Sequence, residues 1–247
     1  MNPIRQTFKN TSVFGNVLCV FVFALLTGCA SSSKSPAKLT PVTQVMVVPV
    51  APVQKLYTEN KGVPVGLLWQ GIADRIKSTE FTESMESTRT SMALALTTEL
   101  LKELKARGFD AQLLEGVARS NSSPDDIDYL KLPTVHPVLH VYFEEVGMYS
   151  SRFSLDYIPR VNVTANLVRP SDEEYIYSET IYYGADARSD ASKSIAADPR
   201  YKWASFDALI QQPKNVSDSY GAAVAAIASK IATNLRATSP SRQEVKK

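Results

Sequence analysis

Hydrophobic positions along the chain fall into blocks of three spacings, and each spacing predicts a different element. An apolar run covers Val13 to Leu26, interrupted by Gly15 and Asn16. At about 14 residues it is shorter than the roughly 20 that span a bilayer as a helix. Val45-Met46-Val47-Val48-Pro49-Val50 is short and rich in β-branched residues, as a buried strand is. Met92, Leu96, Leu100, Leu101 and Leu104 recur every three or four residues and predict a helix over 84–107. Arg107 and Gly108 form its stop signal. Phe109-Asp110-Ala111-Gln112-Leu113 then alternates, so a tight turn leads from helix to strand.

The second half of the chain is dominated by alternation. Val138 to Val146 predicts a strand that is apolar on both faces. From Arg160 to Val168 the alternation is clean, with Val161, Val163, Ala165 and Leu167 on one face. Arg169-Pro170-Ser171-Asp172 makes a turn and Tyr175 to Tyr183 alternates again, which predicts an antiparallel hairpin. Ser122-Ser123-Pro124-Asp125-Asp126 has a capping serine, a first-turn proline and first-turn acids, and predicts a short helix that ends by Pro133. Leu67 to Phe81 permits a short helix, Ala51 to Val65 is irregular, and Gly184 to Pro213 needs a short helix near Trp203 to Ile210. Tyr220, Val224, Ile227, Ile231 and Leu235 form the stripe of an alanine-rich helix over 217–236. Strands that alternate with helices and then run in a hairpin imply an α/β or α+β class. The expected architecture is a single domain over 44–237, with a mixed sheet of about five strands covered by helices.

The ends of the chain have a different character. The first 28 residues carry Arg5 and Lys9, no acid, the apolar run, and then Leu26-Thr27-Gly28-Cys29. A basic start, a short apolar core and small residues before a cut are the marks of an export signal. The last four residues resemble a bacterial lipobox. That resemblance implies a signal peptide over 1–28, cleavage before Cys29, a diacylglycerol on its sulfur and acylation of the new amino group. One acyl chain gives only marginal membrane binding, whereas several on one residue anchor stably. Ala30 and Ser31, rather than aspartate, follow the cysteine. In Gram-negative lipoproteins this implies sorting to the outer membrane, with the domain facing the periplasm. Residues 29–43 are small, polar and proline-broken, a flexible tether that reaches about 45 Å when extended. Residues 238–247 are polar and expected to be disordered.

Cleavage changes both charge and cysteine content. The chain has 27 basic and 25 acidic residues, and the leader removes two bases and no acid. The mature chain is therefore formally neutral, which argues against a nucleic-acid partner. Cys19 lies in the leader, so Cys29 is the one remaining thiol and no intramolecular disulfide is expected even in an oxidising compartment.

Several strings together resemble a known group. They are Val48-Pro49-Val50 closing a strand, Ala106 to Leu114 after a helix, Pro137 to Phe143, a strand pair, and a terminal helix. Over about Gln44 to Arg236 this order is similar to periplasmic lipoproteins with the TolB-amino-terminal or curli-secretion-lipoprotein type of core. The resemblance implies an accessory or assembly role and carries no catalytic residue. The curli-type channel also has long amphipathic hairpins, for which Met148 to Ile158 is too short.

Candidate chemistry is sparse. His136 and His140 are the two histidines, with Glu144 and Glu145 downstream. On a strand, positions 136, 140 and 144 spread over about 26 Å, too far to share one metal ion. No Gly-x-Ser-x-Gly elbow, dinucleotide loop or phosphate loop occurs, so neither cofactor nor metal is expected. Asp125-Asp126 reads as a helix start and Asp172-Glu173-Glu174 as a turn. Tyr175, Tyr177 and Tyr183 share one face of an ideal strand, with Ile176 and Tyr182 on the other. This is a candidate partner-binding face for glycan, peptide or protein, unless those rings pack beneath a helix. Three functions follow as expectations. The first is a non-enzymatic outer-membrane lipoprotein that binds an envelope protein partner and the bilayer through Cys29. The second is a periplasmic hydrolase, and the third a subunit of a homo-oligomeric export channel.

Overall fold

The alternation over 160–168 forms the axis of the fold. The computed structural model describes residues 42–60, 67–150, 154 and 156–238, without side chains for 67–73. The expected leader, nearly all of the tether, Cys29 and the tail beyond Thr238 lie outside the described residues. Strand β5 (Ile158–Arg169) buries Val161, Val163, Ala165 and Leu167 on one face. Strands β4 (Val138–Ser150) and β6 (Glu174–Gly184) flank it in antiparallel register. Strand β1 (Gln44–Val47) lies parallel to β4, and β3 (Asp110–Leu113) lies parallel to β1. Strand β7 (Ser194–Ile195) extends β6, while β2 (Tyr57–Asn60) pairs with the later half of β4. The result is a seven-stranded mixed sheet, ordered β3-β1-β4-β5-β6-β7 with β2 beside β4.

Four helices flank the sheet: α1 (Leu67–Ser84), α2 (Glu86–Ala106), α3 (Phe206–Ile210) and α4 (Pro213–Thr238). The stripes expected from spacing are the ones buried. Met92, Leu96, Leu100 and Leu104 of α2 join Tyr220, Val224, Ile227, Ile231 and Leu235 of α4 in one core with the inner face of β5. Each such side chain, fully buried, contributes roughly 1.5–3 kcal/mol. Buried Ala223, Ala228 and Ala232 let α4 approach its neighbours closely. Arg107, at the end of α2, ties the two helices through Thr233 at 3.0 Å and Ser229 at 3.1 Å.

The α/β class follows the hydrophobic pattern, but three details differ from the sequence reading. The sheet has seven strands rather than about five, because β2 and β7 are too short to leave a periodic signal. Tyr57-Thr58-Glu59-Asn60 has no apolar alternation and is held from both sides. One edge pairs with β4, and on the other Ser78 and Thr82 of α1 take the place of a strand. Thr58 N donates to Ser78 Oγ at 2.9 Å and Leu56 N to Thr82 Oγ1 at 3.2 Å. The helix expected from Ser122 does not form, and only a single 3₁₀ turn appears at Tyr129–Lys131. Ile127 and Tyr129 turn inward together onto Val48, Leu114, Val138 and Val168, on the sheet face opposite the helices. Two residues at spacing two share a face of an extended chain and not of a helix. Leu67 to Phe81, ambiguous in sequence, lies within α1.

Strand β2 packs so closely beside β4 that a side chain at Gly147 has no room. A Cβ on Gly147 would lie 1.9 Å from the Tyr57 carbonyl oxygen, whereas one on Gly221, on the exposed side of α4, meets nothing. Gly147→Ala is expected to destabilise the protein by about 2 kcal/mol or more in urea unfolding. Gly221→Ala is expected to be neutral or to stabilise it by about 0.5–1 kcal/mol. Equal effects of the two substitutions would contradict the close pairing of β2 with β4 at Gly147.

Candidate functional site

Strand β5 is buried on both faces, and the face turned away from the main core is mostly polar. Arg160, Asn162, Thr164 and Asn166 point there and are each 6–8 % exposed. A buried polar group without a hydrogen bond costs about 1–3 kcal/mol, so each needs a cross-strand partner. The ladder supplies most of these. Ser178 Oγ of β6 donates to Asn166 Oδ1 at 2.8 Å. Thr164 Oγ1 donates to Glu144 Oε1 of β4 at 2.8 Å and lies 2.8 Å from Thr180 Oγ1. A hydroxyl has one proton, so Thr180 must donate to Thr164 and keeps only its acceptor capacity. Asn162 Nδ2 donates to Asp186 Oδ2 at 2.6 Å.

Arg160 anchors the end of this ladder. Its guanidinium lies 2.7 Å from Glu145, 3.3 Å from Glu59 and 3.1 Å from Asp186. It also stacks 4.2 Å from the centre of the Tyr149 ring. One planar cation thus joins β2, β4, β5 and the turn after β6. A guanidinium suits the task because it presents five donors in a fixed fork.

Beside this cluster is an open cleft of about 470 Å3, lined by Tyr57, Glu144, Glu145, Asn162, Thr180 and Tyr182. A smaller hollow of about 160 Å3 shares Tyr57 and Glu144 and extends to Pro52, Lys55 and Asp125. A bulge in β4 between Phe143 and Glu145 lets two consecutive glutamates reach the same rim. Tyr57 is 47 % exposed, and Lys55 Nζ sits 5.3 Å from its ring centre.

Towards the covered end of this face the chemistry becomes aromatic and dry. Tyr129 Oη and His140 Nδ1 are 2.9 Å apart, and their rings meet edge-on at 5.9 Å. His140 is 2 % exposed, and its Nε2 has no hydrogen-bond partner among the described residues. Burial, assisted by the nearby Arg119 charge, lowers its pKa to about 4. Burial raises the Tyr129 hydroxyl well above the usual phenol range. Arg119 donates to the carbonyls of Pro49 and Pro124 and so ties the covering segment down. Asp125 Oδ1 is buried without a donor among the described residues, and burial raises its carboxyl pKa against the pull of Arg119.

The tyrosines expected to form one face are divided between two. Val168 pairs with Tyr175 and Leu167 with Tyr177, so Ile176 is an extra residue that breaks the alternation. Tyr177 and Tyr183 are buried in the main core at 9 % and 3 % exposure, while Tyr175 is 55 % exposed and touches Tyr129 on the other face. Tyr177 Oη donates to Glu179 at 2.6 Å, and Asn234 of α4 donates to the same carboxylate at 2.6 Å. Burial, followed by the bond to Glu179, raises the Tyr177 hydroxyl far above its usual range.

His136 lies in the half-buried turn before β4, apart from His140 on the strand. No three His, Cys, Asp or Glu side chains among the described residues are placed to hold a metal. Asp172 and Glu174 pair with Arg169 across the β5–β6 turn, as their sequence context implies. The sequence does not single out the cleft, because only Asn162 belongs to the polar half of the β5 alternation and the other lining residues come from β2, β4 and β6. The one signal is the four successive outward polar positions of β5, a strand flanked on both sides.

No family model and no curated protein sequence matches the chain. Among solved structures it is similar to a DUF330 protein from Xanthomonas campestris. The TM-score is 0.42 at 9 % identity, over 86 % of this chain and 93 % of the other. It is also similar to a neuraminyllactose-binding hemagglutinin homolog from Helicobacter pylori. There the TM-score is 0.36 at 16 % identity, over 83 % and 95 % of the two chains.

The buried histidine gives the protein a defined acid response. Folded His140 stays neutral down to about pH 4, whereas an unfolded histidine protonates near pH 6.5. Its contribution is therefore fully present above about pH 6.5 and is lost as pH falls towards 4, by up to about 3 kcal/mol. Urea unfolding of the wild type and His140→Gln at pH 7 and pH 4.5 tests this. The stability difference between them is expected to shift by about 2 kcal/mol against the wild type at the lower pH. The same difference at both pH values would contradict a buried neutral imidazole.

Proposed function

We propose that this protein is a non-enzymatic lipoprotein, anchored in the outer membrane through acylated Cys29, whose periplasmic domain binds an envelope partner. The leader with Leu26-Thr27-Gly28-Cys29 and the absence of an acidic residue at positions 30 and 31 support the anchor and its sorting. No helix among the described residues is long and apolar enough to cross a membrane, so an anchor outside them suits the reading. The resemblance to TolB-amino-terminal and curli-secretion-lipoprotein cores supports an accessory or assembly role.

One observation carries the binding half of the reading: the cleft floor is a set of side chains already locked to one another. Arg160, Asn162, Thr164 and Thr180 each have a defined bond, which presents a rigid recognition surface with few freedoms to lose on binding. A hydrolase of the triad type would set a histidine beside a serine and an acid. His140 instead bonds a tyrosine under the covering segment, which favours recognition over hydrolysis of that type.

Replacing Cys29 with serine tests the anchor. Cells fed a clickable palmitate analogue are expected to label the wild type and not Cys29→Ser. The variant is expected to leave the outer-membrane fraction and to appear as soluble or as unprocessed precursor. A variant that remains acylated and in the outer membrane would overturn the proposal.

A further inference from the structure

The cleft beside Arg160 has a hydrogen-bonding polarity that selects a class of ligand. Thr180 is restricted to accepting, because its proton is directed to Thr164. Glu144 accepts from Thr164 with one oxygen and has no cation within salt-bridge distance among the described residues. Glu145 pairs with Arg160, which also lies within ion-pair distance of Glu59 and Asp186. Asn162 is the decisive residue. It lines the cleft at 6 % exposure, its Nδ2 is engaged by Asp186, and its Oδ1 has no donor among the described residues. Apart from two tyrosine hydroxyls, the free capacity of the described lining is that of acceptors, and one of its two carboxylates, Glu144, has no cation within salt-bridge distance among the described residues.

We infer that this cleft is a subsite for a cationic side chain, arginine in preference to lysine, presented by a basic segment of a protein partner. This rests on the partner-binding reading above and adds the chemistry of the bound group. A guanidinium has five donors and no acceptor, which complements such a lining; an anion has the reverse, and a neutral sugar hydroxyl leaves its own acceptors unmatched. Tyr57 and Tyr182 flank the carboxylates, and a guanidinium plane or its aliphatic stem packs on such rings. The same face already holds one cation in this way, with Arg160 against Tyr149 and three carboxylates. A peptide fits better than a free small cation, because the cleft is open and continues past Tyr57 and Glu144 into the second hollow.

The test uses the full chain in a neutral detergent and a fluorescent glycine-serine peptide with one central arginine. Its comparators are the citrulline twin, a lysine twin, free argininamide and chitotriose. The arginine peptide is expected to bind at least tenfold tighter than its citrulline twin and tighter than the lysine twin and argininamide, with affinity falling as salt rises. Glu144→Gln is expected to weaken it about tenfold with an unchanged thermal melt, whereas Glu173→Gln, on the β5–β6 turn, leaves it unchanged. Equal binding of the citrulline twin, or displacement by chitotriose, overturns the cation subsite and leaves the partner-binding reading standing. Argininamide binding as tightly as the peptide overturns the peptide source. Absence of all binding, together with no capture by a photocrosslinker placed at Tyr182 in cells, overturns both.

Discussion

A guanidinium buried on the outer face of the sheet sets the terms for this structure. Arg160 lies between Glu59, Glu145 and Asp186 and against Tyr149, so it links β4 and β5 to β2 and to the turn after β6. Desolvating a charge costs several kcal/mol, and ion pairing often does no more than offset it. Its contribution is therefore specification rather than net stability. If β2 or the turn after β6 shifted, a buried cation or a carboxylate would be stranded. The tight approach at Gly147 constrains the same geometry sterically, since a side chain there would collide with the Tyr57 carbonyl of β2.

From that constraint follows a division of labour between the two faces of one sheet. The inner face, with the stripes of α2 and α4, supplies the ordinary apolar stabilisation of a domain for which no disulfide is expected. The outer face is capped at one end by Ile127 and Tyr129 and is polar beyond them. Asn162, Thr164 and Thr180 each direct a donor at a neighbouring acceptor, so what these floor residues leave available is mainly acceptor capacity beside aromatic surface. A fixed, electronegative cleft suits the proposed role of holding a partner.

Much of this was legible in the chain wherever a single period persisted. Val161, Val163, Ala165 and Leu167 of β5 and the stripes of α2 and α4 were placed correctly because nothing interrupted them. One inserted residue, Ile176, reversed the faces of the tyrosines beyond it: Tyr175 went outward while Tyr177 and Tyr183 stayed inside. The bulge at Glu144 has the same physical origin, and no local signal distinguishes a bulge from continued alternation. Strand β2 was hidden because its edges are satisfied by α1 hydroxyls and by β4, both distant in sequence. The cap-like string at Ser122 lost to tertiary demand, since Val138 and Val168 needed a cover that a helix could not supply. The candidate site was legible in composition, as polar residues at alternate positions of a central strand. It was not legible in assembly, because Glu59, Glu145, Arg160 and Asp186 meet only once the sheet is paired.

The central claim is that the outer sheet face, and not the helical layer, is the working surface. Amide shift mapping of the isotope-labelled protein during titration with the arginine peptide tests it directly. Shifts are expected to concentrate on Glu144, Glu145, Asn162, Thr180 and Tyr182, with α2 and α4 silent. Shifts centred on α2 or α4, or spread evenly over the surface, would contradict the account.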